Sequence, residues 1–234
     1  MSYGWCSPEI AAEQNAPNNA TMKVGVAASL DSQDRLPTTL ANTQVLLDGN
    51  PAPLLFVSSD QVNAVTPFGL AGKSSTQVQI EYAGARTQGF TIAVTGAVPG
   101  IFTLDSSGSG QAAASNEDGS LNNASNPARS GSIVVLFGTG GGTLDPVPED
   151  GRIVQGALML TVPVTAKVGF CQAEVLYSGS APGMIAGALQ FNVRIPEQAP
   201  PPYPSGVPCG QGDVPVFLFL GGNATQELVT ISLR

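Results

Sequence analysis

Apolar and polar residues alternate along most of this chain with a period of two. Gln61-Val62-Asn63-Ala64-Val65, Gln77-Val78-Gln79-Ile80-Glu81-Tyr82 and Leu189-Gln190-Phe191-Asn192-Val193-Arg194 each send every second side chain to one face. That is the pattern of a half-buried strand. Further strands are expected at 22–30, 43–47, 52–57, 89–94, 132–137, 159–162, 165–168, 173–177, 214–220 and 228–233. Asp48-Gly49 and Ala83-Gly84 read as tight hairpin turns, and Pro67 ends the strand before it. No stretch carries a convincing 3.6-residue period, so helix is absent or confined to a single turn. The expected fold class is all-β, built hairpin by hairpin as a β-sandwich.

The pattern also repeats. Gln61-Val62-Asn63-Ala64-Val65-Thr66-Pro67 matches Gln190-Phe191-Asn192-Val193-Arg194-Ile195-Pro196 as Gln-x-Asn-x-x-x-Pro, 129 residues on. Val78 to Gly84, followed by Thr87-Gln88, matches Val216 to Gly222, followed by Thr225-Gln226, at a separation of 138. Two ordered matches with a nine-residue slip indicate a duplicated unit with one insertion. The expected division is a flexible N-terminal arm (1–20), a first sandwich (21–98), a loop-rich connector (99–131) and a second sandwich (132–234) with a Pro/Cys insertion at 197–213. Near the paired prolines, Gln61, Asn63, Gln190 and Asn192 are expected to hydrogen-bond backbone left unpaired at the sandwich edge. Any activity is expected in the unduplicated stretches, 105–130 and 197–213.

Composition narrows the chemistry. The 234 residues include 28 Gly and 19 Pro, only 11% are charged, and the net charge is −8. An acidic chain cannot neutralise phosphates, which disfavours nucleic acid and anionic membrane surfaces. No apolar run approaches the roughly 20 residues needed to span a bilayer. Met1 to Cys6 has neither a basic region nor an apolar core, so it is not a signal peptide. With few Lys and three Cys, the expectation is a secreted or cell-surface chain whose leader was removed, or a piece of a longer one. A Cys171–Cys209 disulfide pinning the insertion is weighed against two free thiols; Cys6 is the odd cysteine.

Several longer motifs carry a resemblance. Pro99-Gly100-Ile101-Phe102-Thr103, Gly110-Gln111-Ala112-Ala113-Ala114, Asn116-Glu117-Asp118-Gly119-Ser120-Leu121-Asn122, Asn126-Pro127-Ala128 and Tyr177-Ser178-Gly179-Ser180-Ala181-Pro182-Gly183 resemble the uncharacterised C-terminal domain expanded in Solibacter-type acidobacteria. Leu36-Pro37-Thr38-Thr39-Leu40 and Ala52-Pro53-Leu54-Leu55-Phe56-Val57-Ser58 extend it to the first copy. The resemblance implies two tandem immunoglobulin-like sandwiches, similar to IPT/TIG modules, at the end of secreted proteins. It implies no catalytic residues, because the family has no established activity. The chain departs from the family at 22–30 and in the Cys-containing insertion.

Candidate chemistry is sparse. The chain has no histidine, which removes Ser-His-Asp and Cys-His hydrolases and His-ligated zinc. Gly138-Thr139-Gly140-Gly141-Gly142 is followed by a Pro-rich run rather than a helix, so a glycine bulge is expected there, not a phosphate loop. Asn116, Asp118 and Asn122 are the best oxygen ligands for Ca²⁺. Aligned on an EF-hand loop, however, Ala114 and Ser125 fall on ligand positions, and an Asp-Gly turn accounts for the same residues without an ion. Two functions compete. One is a non-catalytic module that serves as a spacer or binds a protein, glycan or small molecule, with carbohydrate disfavoured by the scattered aromatics. The other is a Ca²⁺-dependent ester or lactone hydrolase drawing on Asp105, Asp118, Glu149 and Asp150.

Overall fold

A computed structural model describes residues 25–198 and 206–234. The expected arm at 1–20, Cys6, the start of the strand expected at 22–30 and the centre of the insertion at 200–204 lie outside the described residues. Strands joined by turns and irregular connections make up the rest; the single helical element described is a 3-10 turn at Phe68–Leu70. No described helix is long and apolar enough to cross a membrane. The chain divides into two units.

The larger unit takes Gly96–Val147 and Gln155–Arg234. Its strands follow one hydrogen-bonded path: Gly110–Gln111, Val229–Leu233, Gly212–Leu220, Val164–Val168, Cys171–Ser180, Leu189–Arg194, Ile133–Thr139 and Ala114–Asn116. Alternation sets its core. Val134 and Leu136 on one strand, and Leu189, Phe191 and Val193 on the next, are buried, while the residues between them face outward. The stretch expected as a loop-rich connector, 99–131, lies within this unit. Ala114–Asn116 pairs with Ile133–Thr139, and Gly110–Gln111 runs parallel to Val229–Leu233. Cys171 and Cys209 are bonded, with their Cα atoms 5.6 Å apart, and Val207 packs on the bridge.

The smaller unit takes the described residues up to Thr95 together with Pro148–Val154. One sheet is Val26–Ala27, Leu54–Val57 and Val62–Ala64; the other centres on Thr43–Leu47 and Ser75–Tyr82, with Phe90–Ala93 beside the latter. Val45, Leu47 and Val78 meet Leu54, Val57 and Leu70 in the core. Of the edge strand expected at 22–30, the described residues form only Val26–Ala27, which is exposed. Asp48 and Gly49 both adopt positive φ, as a two-residue hairpin requires. The Asp48 carboxylate then receives the Gln77 amide at 2.8 Å and Lys73 Nζ at 2.8 Å. These bonds, the backbone one first, hold its pKa down at about 2.

The two units share local geometry at the matched positions. Leu47 pairs with Val78, and Val168 pairs with Val216. Ala83-Gly84 and Gly221-Gly222 both turn at positive φ. The Ile80 amide donates to Thr87 Oγ1 at 3.0 Å, and the Leu218 amide donates to Thr225 Oγ1 at 3.1 Å. A threonine hydroxyl therefore closes the same hairpin twice.

Two predictions follow from these contacts. Closing a 38-residue separation by a disulfide stabilises by about 4 kcal/mol in the chain-entropy model. Cys171→Ser and Cys209→Ser should therefore lower the urea midpoint equally, and the double variant no further; additive losses would count against the bridge. Asp48 has a depressed folded pKa, so its contribution is present above the unfolded value of about 3.9 and lost as pH falls through about 2. Asp48→Asn should lower the melting temperature at pH 6, with the gap to wild type closing between about pH 4 and pH 2.

Candidate functional site

The acidic candidates fall in different units, each with a local partner. Asp105 accepts the Ser107 amide at 3.0 Å and the Ser107 hydroxyl at 2.8 Å. Asp118 accepts the Ser120 hydroxyl and amide. Those bonds pull both carboxyls below the ordinary carboxylate range, Asp105 chiefly through the Ser107 amide and Asp118 chiefly through the Ser120 hydroxyl. A carboxylate held low is a weak base at neutral pH. In the smaller unit, Glu149 pairs with Arg35 at 2.6 Å and Arg152 at 3.3 Å. Asp150 caps the Phe68 amide at 2.8 Å, and Gly151 O accepts the Leu36 amide. These bonds explain why 148–154 folds with the first copy although the sequence places it in the second.

Asn116 and Asn122 form a clamp on the C-terminal strand. Asn122 is fully buried. Its Oδ1 accepts the Ser232 amide at 2.8 Å, and its Nδ2 donates to Ser232 O at 2.9 Å. The same Nδ2 donates to Asn116 Oδ1 at 2.9 Å, and Gln111 Nε2 donates to Asn122 Oδ1 at 3.0 Å. Both amide atoms are thus engaged, and the side chain imitates a backbone partner for the C-terminal strand. Among the described residues, no three His, Cys, Asp or Glu side chains gather in one place. The glycine run packs: Gly140 and Gly142 have positive φ, and a Cβ on either would overlap Val98 O or Gly96 O.

A different constellation emerges at the Gln-x-Asn pairs. The side chains bond one another instead of the edge backbone expected for them. Gln61 Nε2 donates to Asn63 Oδ1 at 2.8 Å, and Gln190 Nε2 donates to Asn192 Oδ1 at 2.9 Å. Both ladders face outward, because their neighbours Val62 and Ala64, and Phe191 and Val193, turn to the core. In each unit an aromatic residue stands opposite the asparagine: Phe56 opposite Asn63, and Tyr177 opposite Asn192. In each unit the register slips by one residue just before that ring, at Leu55 and at Leu176. A bulge of this kind re-aims the side chain that follows it. Each ring also has a glycine beside it: a Cβ on Gly25 would overlap the Phe56 ring, and one on Gly179 would meet Leu158 O and stand 2.7 Å from Tyr177 Oη, which donates to Ser180 O at 2.7 Å. The ring, the bulge and its leucine were missed in the sequence, although Leu54-Leu55-Phe56 and Val175-Leu176-Tyr177 repeat at a separation of 121.

A groove of about 480 Å³ lies elsewhere, lined by Lys167, Phe170, Phe217, Phe219 and Glu227. Lys167 Nζ already stands 5.7 Å from the Phe219 ring centroid, so the groove's aromatic face has an internal cation.

The clamp predicts that Asn122→Ala lowers stability by about 2–4 kcal/mol, since it strands buried Ser232 backbone groups. Urea unfolding would measure it, and loss of a calcium site would instead leave calcium-free protein unchanged. Neither models of known protein families nor curated proteins match this chain.

Proposed function

We propose that the chain is a secreted or cell-surface module of two tandem immunoglobulin-like sandwiches, and that it binds rather than catalyses. The observation that carries this reading is the constellation built twice, an amide ladder beside a bulge-aimed ring on the outward face of each unit. It is built of amides and rings, with no carboxylate, amine, thiol or imidazole, so it offers contact and not acid–base chemistry. Antiparallel hairpins around a shared core, and the resemblance to the acidobacterial C-terminal domain, support the immunoglobulin-like class. The disulfide supports an oxidising compartment. A net charge of −8 supports ligands other than nucleic acid.

Purified protein treated with EDTA and then Ca²⁺ should hydrolyse a chromogenic ester no faster than buffer, with an unchanged melting temperature. Calcium-dependent turnover lost in Asp118→Asn or Glu149→Gln would overturn the module reading. A calcium-dependent rise in melting without turnover would mark a structural ion and leave the reading intact.

A further inference from the structure

We infer that the two Gln–Asn–aromatic faces are like sites for a neutral, hydroxyl-rich polysaccharide. This rests on the module reading and names its ligand. The chemistry begins with the ladder. Each glutamine spends Nε2 on its asparagine's Oδ1, which leaves glutamine Oε1 as an acceptor and asparagine Nδ2 as a donor. Among the described residues, no hydrogen bond reaches either atom, and neither is among the buried atoms without a partner. Adjacent sugar hydroxyls both donate and accept, so an acceptor and a donor fixed side by side meet them as a pair. The ring beside its glycine supplies the apolar floor that such sites combine with a few placed polar groups.

Charge excludes the nearest rivals. The residues opposite the larger unit's ladder are Val135, Phe137, Tyr177 and Gly179, all neutral. The next side chain, Arg194, is paired with Glu174 at 3.0 Å. A polyanion would find no free cation in this face and would be repelled by a chain of net charge −8.

The two copies provide an internal comparison. Inward, Val62 and Ala64 of one copy are replaced by Phe191 and Val193 of the other, and Leu54 and Val57 by Val175 and Ser178. Outward, Gln, Asn and the bulge leucine are identical, and the ring changes only from Phe56 to Tyr177. Elsewhere on the same face the copies differ, Val65 to Arg194 and Ser58 to Gly179, so the amide pair and its ring are held while both the core beneath and the surface beyond them change. Two like sites on one chain also suit a ligand that repeats along its length.

Affinity electrophoresis through gels containing dextran, galactomannan, xyloglucan or hydroxyethylcellulose, with alginate as the anionic control, tests the inference. At least one neutral polymer should retard the protein, and alginate should not. Gln190→Ala with Asn192→Ala should weaken retardation about tenfold or more through lost bivalency. Adding Gln61→Ala and Asn63→Ala should abolish it. Asn63→Asp and Asn192→Asp keep the shape but remove the free donor, and should also weaken binding at an unchanged melting temperature. No retardation by any neutral polymer, retention in the four-fold variant, or preference for alginate would each overturn the inference. All three leave the module reading standing while the ester assay stays blank; turnover in that assay would sink the module reading itself.

Discussion

A strand offers its core only every second residue, and both units break that rule at one place. Leu54 and Val57 are both buried although they are three apart. Val175 and Ser178, also three apart, both pair with buried residues of the neighbouring strand. One extra residue, Leu55 or Leu176, resets the parity. Without it, every side chain beyond would change face. Burying an aliphatic side chain is worth about 1.5–3 kcal/mol, while the ladder bond disturbed at a bulge is worth about 1 kcal/mol net. The core therefore wins, and the outward aim of Phe56 and Tyr177 is its consequence.

Alternation made most of this legible from the sequence. The strands around Thr43–Leu47, Ser75–Tyr82, Ile133–Thr139 and Leu189–Arg194 lie near where period-two patterning placed them, and the Asp48-Gly49 turn is the hairpin its residues demand. Patterning says which face a residue takes, but not what it touches there. Gln61 and Gln190 were therefore assigned to unpaired backbone, when each bonds the asparagine two residues along its own strand. The bulge was hidden for a related reason: a single extra leucine in an apolar run looks like a continuous buried strand.

The 99–131 stretch was opaque for a different reason. Its buried apolar residues, Ile101, Phe102, Ala112, Ala114 and Ala128, are few and mostly alanine, and amides and hydroxyls supply much of the rest of its order. Gln111, Asn116 and Asn122 join it to Ser232 on the last strand, and the Ala128 amide adds a bond to Ser232 O at 2.9 Å. Hydrophobic periodicity cannot register a segment whose one fully buried polar side chain does the pairing. The same network accounts for part of the oxygen-rich spacing that looked like a cation loop. A buried amide needs each donor and acceptor satisfied; Asn116 satisfies part of Asn122, while Asp118 is engaged separately by Ser120.

These outcomes reverse where activity should be sought. Unduplicated stretches were the natural suspects, on the view that a repeat is scaffold and an insertion is function. In the described residues of the first such stretch, Asp105 and Asp118 close turns and Asn122 anchors a strand. In the described part of the second, Cys209 is bonded to Cys171. The amides on which a binding face is proposed lie in the repeat, where they are the same in both copies while the residues beneath them differ. Aromatic side chains make up only 6% of the chain, and that scarcity argued against a sugar-binding surface. In the proposed sites placement outweighs number: one ring at each of two equivalent positions stands beside an amide pair, the arrangement a single sugar contact per unit would use.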